Sequence, residues 1–276
     1  MMEEVEKFID IDKIIKEKNP RLHKWLPRFV INYIKRKIHE DKVNECIWLN
    51  RNKYGYEFNS GCLEYLKVNI TYEGLENLPK TGGVVVAANH PLGGIDGMAM
   101  IHVLSLARQD VKFIVNDILT NMKNFGPIFV GVNKVGITSG DALRNVEALY
   151  ASDGVCFIFP AGLVSRKQNG VVKDLVWKKS FVTKSILYNR PILPVYIEGK
   201  NSDFFYNFAM WRKRLRIKAN IEMFFLPDEM MKFGGKTIHI KFGKPLYPED
   251  LEKPRPRTHA QYAQEIKEMV YSLAGK

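Results

Sequence analysis

The chain has 276 residues, 46% of them hydrophobic and 12% aromatic, enough for one large core or for a core with a small appended module, the scale of a globular enzyme. Lys and Arg total 42 against 30 Asp and Glu, and the resulting charge of +12 directs the protein toward something anionic: nucleic acid, an anionic bilayer or an acidic protein. Cys46, Cys62 and Cys156 are odd in number and far apart without CxxC spacing, which argues against a disulfide framework or a zinc knuckle and suits a reducing cytoplasm.

The opening "MMEEVEKFID" is acidic and has no apolar stretch, so no secretory signal is expected there. From Phe8 to about Tyr65 the pattern is helical and broken at prolines: "FIDIDKIIKEKN", then Pro20, then "RLHKWLPRFVINYIKRKIHEDK", then "VNECIWLNRNK". From Val68 onward short β-branched runs alternate with helical stretches. The runs "VNITY", "GVVVAA", "VKFIV", "VCFIF", "ILPVYI" and "TIHIKF" read as strands. Between them "IDGMAMIHVLSLA", "GDALRNVEALYAS" and "LVWKKSFVTKSILYN" read as helices. That alternation predicts an α/β fold with a largely parallel central sheet flanked by helices. It follows an N-terminal helical module over 1–67, and the α/β body spans 68–276. Near the end, Thr258 and Gln261 form a capping box before a helix with Ile266, Met269, Val270 and Leu273 on one face. The longest apolar runs fall far short of the ~20 residues that a membrane-spanning helix requires.

The stretch with chemical content is "GVVVAANHPLGGIDG", Gly83 to Gly97. An apolar strand ends in Asn-His, crosses a Pro-Leu-Gly-Gly loop and sets an Asp at the start of an apolar helix. Ligands of α/β sheets bind beyond the carboxyl ends of strands, which is where His90 falls. Gly93 and Gly94 permit a tight reversal, so Asp96 can return toward His90 and accept a hydrogen bond from its ring. That pair is a general base with its orienter. Backbone N–H groups of the glycine loop are candidates for stabilising an oxyanion. A structural alternative leaves Asp96 as a helix cap and His90 as packing. Two further strand ends favour chemistry: "GPIFVGVNKVG" sets Asn133 and Lys134 past one apolar run, and "VCFIFPAGLVSRKQNG" sets Gly162, Ser165 and Arg166 past another. No GxSxG elbow occurs, "GITSG" has the wrong spacing for one, and neither a Walker A sequence nor HExxH is present.

In order and spacing, "NHPLGGIDG", "FVGVNK", "FPAGLVSR" and "PILPVYIEG" resemble the four blocks of the glycerolipid acyltransferase superfamily. The likeness is strongest to its hemolysin-like bacterial branch, which includes ornithine- and glycine-lipid O-acyltransferases, and it covers roughly Ile70 to Phe242. The resemblance implies transfer of a fatty acyl group from a thioester of acyl carrier protein or coenzyme A to a lysolipid hydroxyl. It implies no metal and no cofactor beyond that co-substrate. By it, His90 is the base and Asp96 its orienter, while Asn89, Gly93, Gly94, Asn133, Lys134, Gly162, Ser165 and Arg166 are substrate-binding positions. Lys134 stands where the superfamily usually has a head-group arginine. Ala161 replaces the usual acid of the third block, and five residues rather than four separate His90 from Asp96. Those departures favour an amino-acid lysolipid over lysophosphatidic acid, with Lys134 and Arg166 on the head-group carboxylate.

In "RLHKWLPRFVINYIKRKIH" apolar residues recur at helical spacing among six Lys or Arg, the composition of an interfacial helix that Pro27 divides. The expected partner is an anionic membrane surface at the cytoplasmic face, and the competing reading packs this helix on the body. The segment "DFFYNFAMWRKRLRIK" mixes aromatic and basic residues and is expected mainly to cover a core. Such interleaving also suits single-stranded nucleic acid, but no nucleic-acid module accompanies it, so none is expected as partner. A non-enzymatic lipid- or nucleic-acid-binding protein with a structural His-Asp loop is the alternative function.

Overall fold

A computed structural model describes residues 7–132, 140–252 and 257–275. Helices come first: α1 (Ile11–Lys18), α2 (Pro20–Trp25), α3 (Arg28–Ile38), α4 (Glu40–Leu49) and α5 (Gly55–Leu66). Pro20 opens α2, where a missing N–H costs nothing, and Pro27 ends it and sits at the N-cap of α3. The α/β part runs β1 (Asn69–Glu73), β2 (Val84–Ala88), α6 (Gly94–Ala107), β3 (Val111–Asn116), α7 (Asp117–Thr120), β4 (Phe129–Val132), α8 (Gly140–Ala151) and β5 (Val155–Ile158). A hairpin of β6 (Arg166–Gln168) and β7 (Val171–Lys173) follows, then α9 (Ser180–Leu187), β8 (Ile192–Ile197), α10 (Asp203–Arg214) and α11 (Leu226–Lys232). The chain closes with β9 (Thr237–Phe242), α12 (Pro248–Glu252) and α13 (His259–Ser272).

Among the described residues the central sheet has seven strands in the order β1-β9-β8-β2-β5-β3-β4. Every neighbouring pair is parallel except β8 with β9. The central strand β2 is buried along its whole length, as a parallel strand covered on both faces must be. Alternation along it feeds two cores. Val84, Val86 and Ala88 pack with Met100, Val103 and Leu104 of α6, Cys46 and Ile47 of α4, and Phe58 and Cys62 of α5. Val85 and Ala87 pack with Tyr150 of α8, Phe181 and Val182 of α9, and Ile266 and Val270 of α13. The result is a three-layer α/β/α arrangement. Secondary structure changes character at residues 67–68, yet α4 and α5 contribute side chains to the same core as β2 and α6.

The predicted helix over "LVWKKSFVTKSILYN" starts only at Ser180. Ahead of it the chain is not helical, and Trp177, 1% exposed, exchanges backbone hydrogen bonds with the Gln264 side chain of α13 at 3.3 and 2.8 Å. Tertiary partners there replace the helical ones. The capping box at Thr258 forms as expected, with the Gln261 N–H donating to the Thr258 hydroxyl at 3.3 Å.

Candidate active site

The carboxyl ends of β2, β5 and β8 converge, and side chains splice them. Asn89 continues β2 by donating to the Ile197 carbonyl at 2.9 Å and accepting from the Ile197 N–H at 2.7 Å, so this 2%-exposed amide joins β2 to β8 and is a brace. Asn201 beyond β8 donates to the Pro91 carbonyl at 3.1 Å. Between them Gly199 adopts φ +143°, and a Cβ there would come within 2.9 Å of Leu92, so the fourth block needs glycine to let the histidine loop close.

That loop brings His90 and Asp96 together. Gly93 takes φ +94°, the reversal foreseen in the glycine pair, and Asp96 in the first turn of α6 swings back so that its Oδ2 lies 2.9 Å from His90 Nδ1. The same oxygen accepts the N–H groups of Leu92 at 2.8 Å and Gly93 at 3.0 Å. The Leu92 and Gly93 amides are therefore committed to Asp96 and not turned to an oxyanion. Packing adds to the demand for glycine at 93, where a Cβ would meet Leu226 of α11 at 3.2 Å, whereas a Cβ on Gly94 would make only ordinary contact with Met230 at 3.9 Å.

Asp96 is fully buried and its environment pushes its pKa above the ordinary carboxylate range by desolvation, against the opposing hydrogen bonds from His90, Leu92 and Gly93. The His90 side chain is 17% exposed and its ring stacks on Phe159 at 3.9 Å between centroids and 16° between planes. Phe159 is itself wedged against Phe113 and Phe157. Two contacts thus fix the imidazole: a carboxylate in its plane and a phenyl ring on its face. Among the described residues Nε2 has no hydrogen-bond partner, which leaves it the free basic atom.

The third block lies alongside, in roles other than those expected. Ser165, 1% exposed, directs its hydroxyl to Asp174 Oδ1 at 2.6 Å, and its N–H donates to the His90 carbonyl at 2.7 Å. Arg166 spends Nη1 on the Val164 carbonyl at 2.6 Å and Nη2 on the fully buried Glu222 at 2.8 Å, and Glu222 also pairs with Arg212 at 2.7 Å. Both residues brace the fold, because a buried hydroxyl and a buried guanidinium must find internal partners. Both side chains thus have internal partners where the sequence led us to expect a grip on a head group. Gly162 sits in the turn after β5 at φ +64°, with the Lys178 ammonium 3.4 Å from where its Cβ would be. Ala161 is buried. Asn133 and Lys134 lie outside the described residues.

Sequence reasoning passed over Phe159 and Asp174. The phenylalanine was legible only as a strand residue. Asp174, in "VVKDLVW", carries no motif, yet its buried carboxylate collects the Ser165 hydroxyl, the His90 N–H at 3.2 Å and the Trp177 indole N–H at 2.8 Å. Cysteine offers no nucleophile here. Cys156 lies on the opposite face of the sheet, where burial pushes its thiol up to about 12. Among the described residues no group of His, Cys, Asp and Glu is placed to hold a metal.

Known proteins resemble the chain in fold and in sequence. The structure resembles that of the 1-acyl-sn-glycerophosphate (LPA) acyltransferase of Thermotoga maritima, with a TM-score of 0.52 at 19% identity over 90% of each chain, a likeness of fold. Lyso-glycine lipid O-acyltransferases of Bacteroides thetaiotaomicron and Phocaeicola vulgatus are 44% and 45% identical over 96% of this chain and 97% and 95% of theirs. An acyltransferase family model matches residues 13–267, across the helices, the sheet and the His90–Asp96 loop alike, and the chain belongs to that acyltransferase family.

Proposed function

We propose that the protein transfers a fatty acyl group from a thioester, on acyl carrier protein or coenzyme A, to the hydroxyl of a lysolipid whose head group is an amino acid. Lyso-glycine lipid is the first candidate acceptor, supported by the names of the two relatives. Ala161 in place of an acid in the third block points the same way. Lysophosphatidic acid is the runner-up, and family membership weighs against a non-enzymatic binding role.

The observation that carries the chemistry is His90 held at Nδ1 by Asp96 with Nε2 free. The hydroxyl of the acceptor gives its proton to Nε2 as its oxygen attacks the thioester carbonyl. Collapse of the tetrahedral intermediate expels the thiolate, which takes the proton back from the imidazolium. Asp96 keeps the tautomer and stabilises the imidazolium while it lasts. With Arg166 tied to Glu222, Lys134 and the exposed Lys178 beside the Gly162 turn are the candidates for a head-group carboxylate.

A peripheral position on the membrane through Arg21 to His39 completes the reading. No described helix is long and apolar enough to cross a bilayer. The stretch divides: Ile31 is buried, Lys35 pairs with Asp12 and Lys37 with Asp228, while Trp25 at the end of α2 and Phe29 and Tyr33 of α3 stay exposed. The exposed aromatics support the membrane-facing reading, and the buried and paired residues show that the other face packs on the body. Purified enzyme offered lyso-glycine lipid and lysophosphatidic acid with an acyl thioester tests the proposal. Turnover of the first, lost in His90→Ala, is expected, and turnover confined to the second would reject the acceptor.

A further inference from the structure

The aromatic and basic segment after β8 was expected mainly to cover a core, and only part of it does. Phe205, Tyr206 and Ala209 of α10 are buried, but Trp211 is 59% exposed and Phe224, in the 3₁₀ turn Ile221–Phe225, is 60% exposed. Phe204 and Leu215 are also exposed. These residues form a connected surface, since Phe204 and Phe208 both pack on Phe225 at 5.1 and 5.0 Å, and Trp211 lies 6.5 Å from Phe208. The 3₁₀ turn lies against α3, which carries Phe29, 73% exposed, just after Trp25 of α2, 89% exposed. Two aromatic segments 165 or more residues apart in sequence are thereby neighbours on one side of the molecule.

Charge selects what this side meets. Residues 20–39 hold six Lys and Arg and residues 204–220 hold five, with no Asp or Glu in either. Those eleven of the 42 basic residues carry nearly all the excess, leaving 31 against 30 acidic residues in the remainder of the chain. Lys213, Arg214, Arg216 and Lys218 are exposed and enter no ion pair among the described residues. Bulky apolar side chains interspersed with unpaired cations are the composition that inserts at a lipid head-group boundary and is drawn to anionic lipids.

We propose that α10 and the 3₁₀ turn Ile221–Phe225 form the second half of the membrane-docking face, so that the protein sits on an anionic leaflet by two aromatic-basic segments. The inference rests on the peripheral membrane reading above and extends it. The segment is also anchored to the catalytic loop. Arg212 of α10 pairs with Glu222, Glu222 with Arg166, and Ser165 beside it donates to the His90 carbonyl. A leaflet bound to α10 is thus held rigidly relative to His90, in keeping with an acceptor drawn from that leaflet.

The test is sedimentation with vesicles of phosphatidylglycerol and phosphatidylcholine, alongside turnover of a short-chain acceptor kept below its micellar concentration. The variants are Trp211→Ser with Phe224→Ser, Arg214→Glu with Arg216→Glu, and, on α3, Phe29→Ser with Arg36→Glu. All are surface positions outside the site. Each pair is expected to weaken partition to the anionic vesicles about tenfold, with salt dependence, and to leave short-chain turnover unchanged. Loss in the α3 pair alone overturns this inference and leaves the peripheral reading standing. Wild-type protein that ignores vesicles overturns both. Self-association abolished by the Trp211 and Phe224 changes, or single-stranded DNA that displaces the vesicles, would identify a different occupant and overturn it as well.

Discussion

The Ser165 hydroxyl donates to Asp174 Oδ1 at 2.6 Å, and that oxygen also accepts the backbone N–H of His90 at 3.2 Å. Asp174 therefore ties the His90 loop to the third block, and through the Trp177 indole N–H, 2.8 Å from Oδ2, to the segment packed on α13. A carboxylate is required because every group facing it is a donor. In Asp174→Asn the new amide N–H₂ meets one of those donors. Loosening His90 by a fraction of an ångström should lower kcat about tenfold to a hundredfold with KM for the acceptor little changed. Adding Trp177→Phe removes the indole donor and should recover part of kcat. If the double variant is slower than Asp174→Asn alone, Asp174 does not position His90.

Asp96→Asn keeps an acceptor for His90 Nδ1 but removes the charge that stabilises the imidazolium. The expected loss in kcat is about two to four orders of magnitude at unchanged expression and fold. Stability should respond differently. Burial raises the pKa of Asp96, so above the ordinary carboxylate value the native state keeps a proton that the unfolded chain has released. Native stability then falls as pH rises through that window, and Asp96→Asn should remove the slope. Denaturant titrations of both proteins across the acidic range give the comparison.

The proposed direct attack by the acceptor hydroxyl would leave no acyl group on the protein. Ser165 is occupied by Asp174, and Cys156 faces the opposite core. Acid-quenched enzyme taken during turnover should have the intact mass of the unreacted chain, and a stable adduct one acyl group heavier would contradict the mechanism.

How much of this was legible in the sequence follows from how local each determinant is. The strands of the sheet and the His90–Asp96 pair rest on short patterns, β-branched runs and a glycine reversal, and these formed where expected. Asp174 and Glu222 were invisible because a buried carboxylate is defined by the donors that reach it, and those come from residues 84 positions away at His90 and 56 positions away at Arg166. Ser165 and Arg166 had their internal partners hidden for the same reason. As a sequence they look like polar groups offered to a ligand, and only the fold shows who receives them. Trp177 likewise broke a predicted helix through Gln264, 87 residues on.

Asp228 of α11 joins the N-terminal helices to the region over the active-site loop. It receives Lys37 at 3.2 Å, His39 at 2.9 Å and Lys232 at 2.9 Å, and despite partial burial these hydrogen bonds bring its pKa down to about 2. A depressed carboxylate contributes stability above its unfolded value, near 3.8, and loses it as pH falls toward about 2. Asp228→Asn should therefore be less stable than wild type at pH 7, with the difference closing near pH 2. An equal difference at both values, by chemical denaturation, would show that the charge is irrelevant.

Arg166 and Glu222 allow brace and ligand to be separated. Glu222 has no exposure and lies between Arg166 and Arg212, so Glu222→Ala strands two guanidinium groups and should cost about 3–5 kcal/mol. Replacing the interior pair together, Arg166→Met with Glu222→Leu, exchanges it for apolar side chains of similar volume, which other buried pairs tolerate at little or no cost. Arg212, 13% exposed, can turn its head to water in that variant. A brace predicts that the double variant regains most of the stability and keeps an acceptor KM within about threefold of wild type. A head-group ligand predicts the opposite split, a stable protein whose acceptor KM rises tenfold or more because a carboxylate has lost its cation. With Nη1 and Nη2 of Arg166 already placed inside the fold, the first outcome is expected.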